Sequence, residues 1–90
     1  MSRTIITVVG KDTVGIIARV CTFLAEHKIN ILDISQTILQ EFFNMIMIVD
    51  PSKSDLSFSE ISDGLNTLGE EMGFTITCQK EEIFEMMHRI

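Results

Sequence analysis

With 90 residues, the chain has room for one small domain and no more. A domain of that size buries roughly 60–65% of its unfolded surface, so it is marginal alone and gains from a partner subunit. The formal charge of −6 falls wholly in residues 50–90, where three basic residues face nine acidic ones. That excess argues against nucleic acid and against an anionic membrane surface, both of which need Lys and Arg counter-charge.

Residues 4–9, TIITVV, are β-branched throughout and predict a strand apolar on both faces, hence a central one. The stretch VVGKDTVGIIARV then runs through a short polar loop into a helix over residues 14–27, with Asp12 or Thr13 as the expected cap. Arg19, Thr22 and Glu26 form its one polar stripe, and an apolar arc that wide predicts a helix nearly surrounded. KINILDISQTIL predicts a strand near residues 31–39, with Leu32, Ile34 and Ile38 on one face and Asp33, Ser35 and Thr37 on the other.

Gln40-Glu41 reads as a tight turn, and FFNMIMIV returns as a strand apolar on both faces, which predicts cover on both. DPSKSD is the turn-rich break. Ser57 and Glu60 have the spacing of a capping box, with Leu56 and Ile61 at the staple positions. Phe58, Ile61, Leu65, Leu68 and Met72 then make one buried seam, and Gly73 stands where a left-handed cap belongs. FTITCQ alternates as a fourth strand, with Phe74, Ile76 and Cys78 inward. In the closing EEIFEMMHRI, Ile83, Phe84, Met87 and Ile90 share one helical face, with Glu81, Glu82 and Glu85 opposite.

The order predicts an α+β, ferredoxin-like βαββαβ sandwich: an antiparallel four-stranded sheet with two helices on one face, the first strand lying between the third and fourth. Residues 1–79 form the domain. Residues 80–90 form a C-terminal helix that belongs to the same domain or to a dimer interface, docking on the sheet edge, its open face or a neighbouring chain. The wide apolar arc of the first helix and the doubly apolar third strand also ask for a partner surface, so a homodimer is expected.

Several chemistries fail on missing residues. Gly10 and Gly15 have the spacing of a phosphate loop, but Ile16-Ile17 stands where Lys and Ser or Thr are needed. His27, His88, Cys21 and Cys78 are scattered, without metal-ligand spacing, so no metal and no cofactor are expected. Asp12 and Asp33 could pair as carboxylates, but nothing supplies a nucleophile or an activated base, and the chain is read as no enzyme. The first strand carries no aromatic on which a base could stack. Two distant cysteines inside apolar patterns, no secretory segment and no apolar run near ~18 residues predict a reduced, cytoplasmic protein with buried thiols. A Cys21–Cys78 disulfide is the alternative.

What remains is the loop and the start of the second strand. Asp12, Gly15 and the helix N-terminus offer a carboxylate beside N–H groups, and the Asn30 amide is expected at the same end of the sheet. Such a set suits a small zwitterion. Equally, Asp12 only caps the helix and Asn30 only caps the turn.

VVGKDTVGIIARV and LAEHKINILDISQT together resemble the ACT domain, a small regulatory module of amino-acid-metabolic enzymes, over residues 4 to about 79. The small size, ISQT and the terminal helix look like the stand-alone single-domain members, which are similar to the glycine-cleavage-system repressor. The resemblance implies an amino acid or related metabolite held between two subunits. Gly10, Lys11, Asp12 and Gly15 of one chain and Asn30 and Ile31 of its neighbour would touch it. Gly15 would let the backbone approach, Asp12 would meet an ammonium, and Asn30 would bridge polar atoms. Val14 stands where many members carry proline, and Gly10 replaces a polar residue that some use. The other reading is a pure interaction domain with a vestigial pocket, pairing with another ACT-containing protein.

Overall fold

The computed structural model describes residues 3–11 and 14–82. Its elements follow the expected order: β1 (Thr4–Lys11), α1 (Ile16–Glu26), β2 (Asn30–Leu39), β3 (Phe42–Asp50), α2 (Phe58–Met72) and β4 (Thr75–Lys80). The strands form one antiparallel sheet in the order β2-β3-β1-β4, so β1 is central as its two apolar faces require. This is the ferredoxin-like arrangement. Of the C-terminal helix expected over residues 80–90, Lys80 instead ends β4, Glu81 and Glu82 are helical, and residues 83–90 lie outside the described residues.

The core lies between the sheet and the two helices. Ile6 and Val8 of β1 meet Phe43, Met45, Met47 and Val49 of β3 and Phe74 and Ile76 of the β4 segment. Against them α1 sets Ile16, Val20 and Leu24, and α2 sets Ile61, Leu65 and Leu68. The capping box forms as the spacing demands: Glu60 N–H donates to Ser57 Oγ at 3.1 Å, and Ser57 N–H donates to Glu60 Oε1 at 2.8 Å. Gly73, left-handed at φ 78°, closes the helix.

Three expectations need correction. α1 begins at Gly15, whose φ of 95° has no side-chain cap bond; Asp12 and Thr13, the expected caps, lie outside the described residues. The same helix buries a narrow seam only, because it has the sheet beneath it and α2 on one flank; Ile17 on its other flank is exposed. In β3 the helix-side residues are buried, but Phe42 and Ile46 on the opposite face are exposed, so that face is not covered throughout.

β2 carries a bulge that its alternating pattern hides. Ile31 lies opposite Val49 and Asp33 opposite Ile48, which leaves Leu32 as the extra residue. Beyond the bulge, Ile34 and Ile38 lie opposite Met47 and Phe43, on the helix side of the sheet. Yet at the sheet edge Leu32, Ile34 and Ile38 stay 45%, 40% and 53% exposed.

Candidate ligand-binding site

The sheet register decides how the expected site residues lie. Gly10 pairs with Phe43, Lys11 with Phe42, and Gly15 follows the loop above them. Asn30 pairs with Asp50 and Ile31 with Val49, while Thr4 at the start of β1 also pairs with Val49. Asn30 is therefore at the opposite end of the sheet from the loop, roughly 20 Å away at a strand's rise per residue. The expectation of a shared end fails within one chain. The reason is topological: α1 runs back along the sheet, so β2 starts where β1 started.

At the loop end, Gly10 is half-buried inside β1 and has a packing duty. A Cβ there would come within 2.6 Å of the Phe74 ring, which itself meets Phe43 edge-on with centroids 6.2 Å apart. Gly15 differs: a Cβ would meet nothing within 4 Å, so the requirement there is its positive φ alone. Its carbonyl accepts from Arg19 N–H at 2.9 Å, the first turn of α1. Lys11 is exposed at the end of β1. Asp12 lies outside the described residues.

At the other end, an open cavity of about 470 Å³ sits beside Asn30. Lys28, Ile29 and Asn30 line it from the α1–β2 connection, and Asp50, Ser52 and Lys53 from the turn after β3. Lys28 takes a left-handed φ of 59°, unusual for a residue with a side chain. Asp50 Oδ1 accepts from Ser52 N–H at 2.9 Å. That bond, helped by the Lys53 ammonium, holds the Asp50 carboxyl below its ordinary range. The cavity thus offers ammonium, carboxylate and amide groups at once, the mixed polarity a zwitterion needs.

Of the residues that line this cavity, Asn30 is among the candidates the sequence singles out, while Lys28, Asp50, Ser52 and Lys53 are not. DPSKSD reads as a turn and nothing more. Only the pairing of Asn30 with Asp50 brings that turn to the site.

Other reactive groups do not line the cavity. His27 is the C-cap of α1, its Nδ1 3.4 Å from Asp55 and its ring 4.8 Å from that of Phe23. Cys21 and Cys78 are free thiols, each half-buried. Among the described residues, no cluster of three or more His, Cys, Asp or Glu is placed to hold a metal. No described helix is long and apolar enough to cross a membrane.

The geometry defines a small α+β module whose polar groups divide between two ends of one sheet. The ACT domain family model matches residues 2–79, and the chain belongs to that family. A UPF0237 protein of Bifidobacterium longum is 58% identical over 90 residues, all of both chains. An ACT domain protein from Streptococcus pneumoniae superposes with a TM-score of 0.80 at 40% identity, covering 93% of this chain and 94% of that one. A putative glycine cleavage system transcriptional repressor shares the fold, with a TM-score of 0.75 at 22% identity over 88% of this chain and 45% of that one.

Proposed function

We propose that the protein is a non-catalytic regulatory module that senses an amino acid or a related metabolite at the interface of two copies. The observation that carries this reading is the edge strand β2. It runs ten residues, its outer backbone edge meets no described strand, and it exposes Leu32, Ile34 and Ile38. A long apolar edge of this kind is a template for another strand.

If two β2 strands pair antiparallel about a two-fold axis, residues near 39 of one lie beside residues near 30 of the other. The partner's Asn30 and Ile31 then come to the loop end of this chain, beside Gly10, Lys11, Asp12 and Gly15. The separation of roughly 20 Å within one chain thereby becomes proximity between two. Val14 and Ile17, both exposed at that end of α1, gain cover in the same arrangement. Membership in the ACT family and the fold shared with a protein named as a repressor support regulation over catalysis.

A thermal-shift screen of the twenty amino acids, followed by calorimetry, tests the proposal. At least one should raise the melting temperature of the wild type by mass action and leave Asn30→Ala unmoved. A flat response to all twenty would favour the interaction domain with a vestigial pocket.

A further inference from the structure

The cavity beside Asn30 carries a charge excess that runs against the rest of the chain. Of the residues lining it, Lys28 and Lys53 are basic and Asp50 alone is acidic, whereas the whole protein carries −6. Lys53 is one of only three basic residues in the stretch 50–90. Among the described residues, neither lysine has a carboxylate within ion-pair distance. Asp50 does have a partner: the bond from Ser52 N–H, with the Lys53 charge nearby, keeps its carboxyl ionised.

The backbone fixes both lysines at the cavity. Lys28 N–H donates to the Ala25 carbonyl at 3.2 Å and Ile29 N–H to the Leu24 carbonyl at 2.9 Å, the paired bonds that close a helix through one left-handed residue. That residue is Lys28, at φ 59°, where glycine would fit without strain. The chain thus keeps a cation here at a backbone cost, and such costs concentrate at binding sites. Ile29, 5% exposed, is held in the core and sets the exposed Lys28 and Asn30 on either side of it. Asn30 pairs with Asp50, and the Asp50–Ser52 bond folds the turn that brings Lys53 to the same cavity. The dipole of α1 accounts for one cation at its C-terminus, but the second comes from a different element.

An amino acid with an uncharged side chain brings one ammonium and one carboxylate. Asp50 answers the first and one lysine the second, which leaves the other lysine without a counterpart. A side-chain carboxylate supplies it. We infer that the amino acid sensed is an acidic one, with Lys28 and Lys53 set against its two carboxylates, Asp50 against its ammonium, and Asn30 bonding its oxygens. The loop of the second copy adds Lys11 and Asp12, one charge of each sign, so the excess stands. At about 470 Å³ the cavity is within the usual range for a small-molecule site. The inference rests on the sensing role proposed above and names the class of ligand.

Calorimetry on the full-length chain with aspartate and glutamate, against asparagine and glutamine as neutral isosteres, tests it. An acid should bind roughly tenfold more tightly than its amide, with the margin shrinking as salt is raised. Lys28→Gly and Lys53→Gln should each lose most of that preference. Lys28→Gly should also melt no lower than the wild type, since glycine suits the left-handed position. A neutral amino acid that binds as tightly as either acid would overturn this inference and leave the sensing role standing. So would a preference for acids that survives both substitutions together. Silence towards all twenty amino acids would overturn the inference and the sensing role alike.

Discussion

Gly10 belongs to the loop in sequence and to the core in space. The Phe74 ring occupies the place of a side chain at Gly10, so a methyl group there must push a buried ring against Phe43. Gly10→Ala should destabilise the protein by roughly 1–3 kcal/mol, the usual cost of overpacking, read by urea denaturation. In a Phe74→Leu background the same change should cost much less, because the ring it collides with is gone. Additive losses would mean that strand pairing, not the ring, sets the requirement.

Cys78 carries a second residue-scale consequence. Burial pushes its thiol up to about 11, and a hydrogen bond from Ser62 only partly opposes this. Below the ordinary thiol value, folded and unfolded chains are both protonated at this position, and its contribution to stability is complete. As pH rises from about 9 towards 11, the unfolded chain releases the proton while the folded chain keeps it, so stability falls. Melting temperature should therefore decline more steeply over that window in the wild type than in Cys78→Val. Parallel curves would remove the effect.

At the scale of elements, legibility in the sequence follows how local the determining interactions are. The α2 cap closes within four residues, Ser57 to Glu60, and its spacing alone announces it. Ser57→Ala should cost about 1 kcal/mol in chemical denaturation. Glu60→Ala should add less on top of it, since the reciprocal bonds act as a unit; a fully additive pair would contradict that coupling. The start of α1 is less legible because the determining residue is Gly15 through its backbone φ, whereas Asp and Thr beside it look like better caps. β3 shows the other limit. Its two apolar faces are plain in the sequence, but cover on the far face depends on what lies opposite, and Phe42 and Ile46 have none among the described residues. The bulge at Leu32 is invisible for a similar reason, since register belongs to the pair of strands and not to either one. The candidate site fails to read for the most global reason of all. Asn30, Lys28 and Lys53 converge on one cavity only once β2 and β3 are paired.

For the whole molecule, the exposed apolar residues rank the surfaces that two copies would share under the proposed pairing. β2 has three of them on one edge strand whose outer backbone edge meets no described strand, whereas Val9, Phe42 and Ile46 lie on the sheet face away from the helices, on strands paired on both sides. Strand pairing satisfies backbone groups as well as burying side chains, so β2 is favoured. Ile34→Lys combined with Ile38→Lys should leave the fold intact by circular dichroism, because both side chains are exposed in the single chain. In sedimentation the proposed wild-type dimer should be replaced by monomer in this variant at the same concentrations, with the dissociation constant raised at least tenfold. Its melting temperature should also lose dependence on protein concentration. Any amino acid that stabilises the wild type should lose its effect, since the partner's Asn30 no longer reaches the loop. A variant that stays dimeric and still responds to ligand would exclude β2 as the shared edge. A variant that is monomeric yet responds in full would place the pocket within one chain, at the cavity between Lys28 and Lys53.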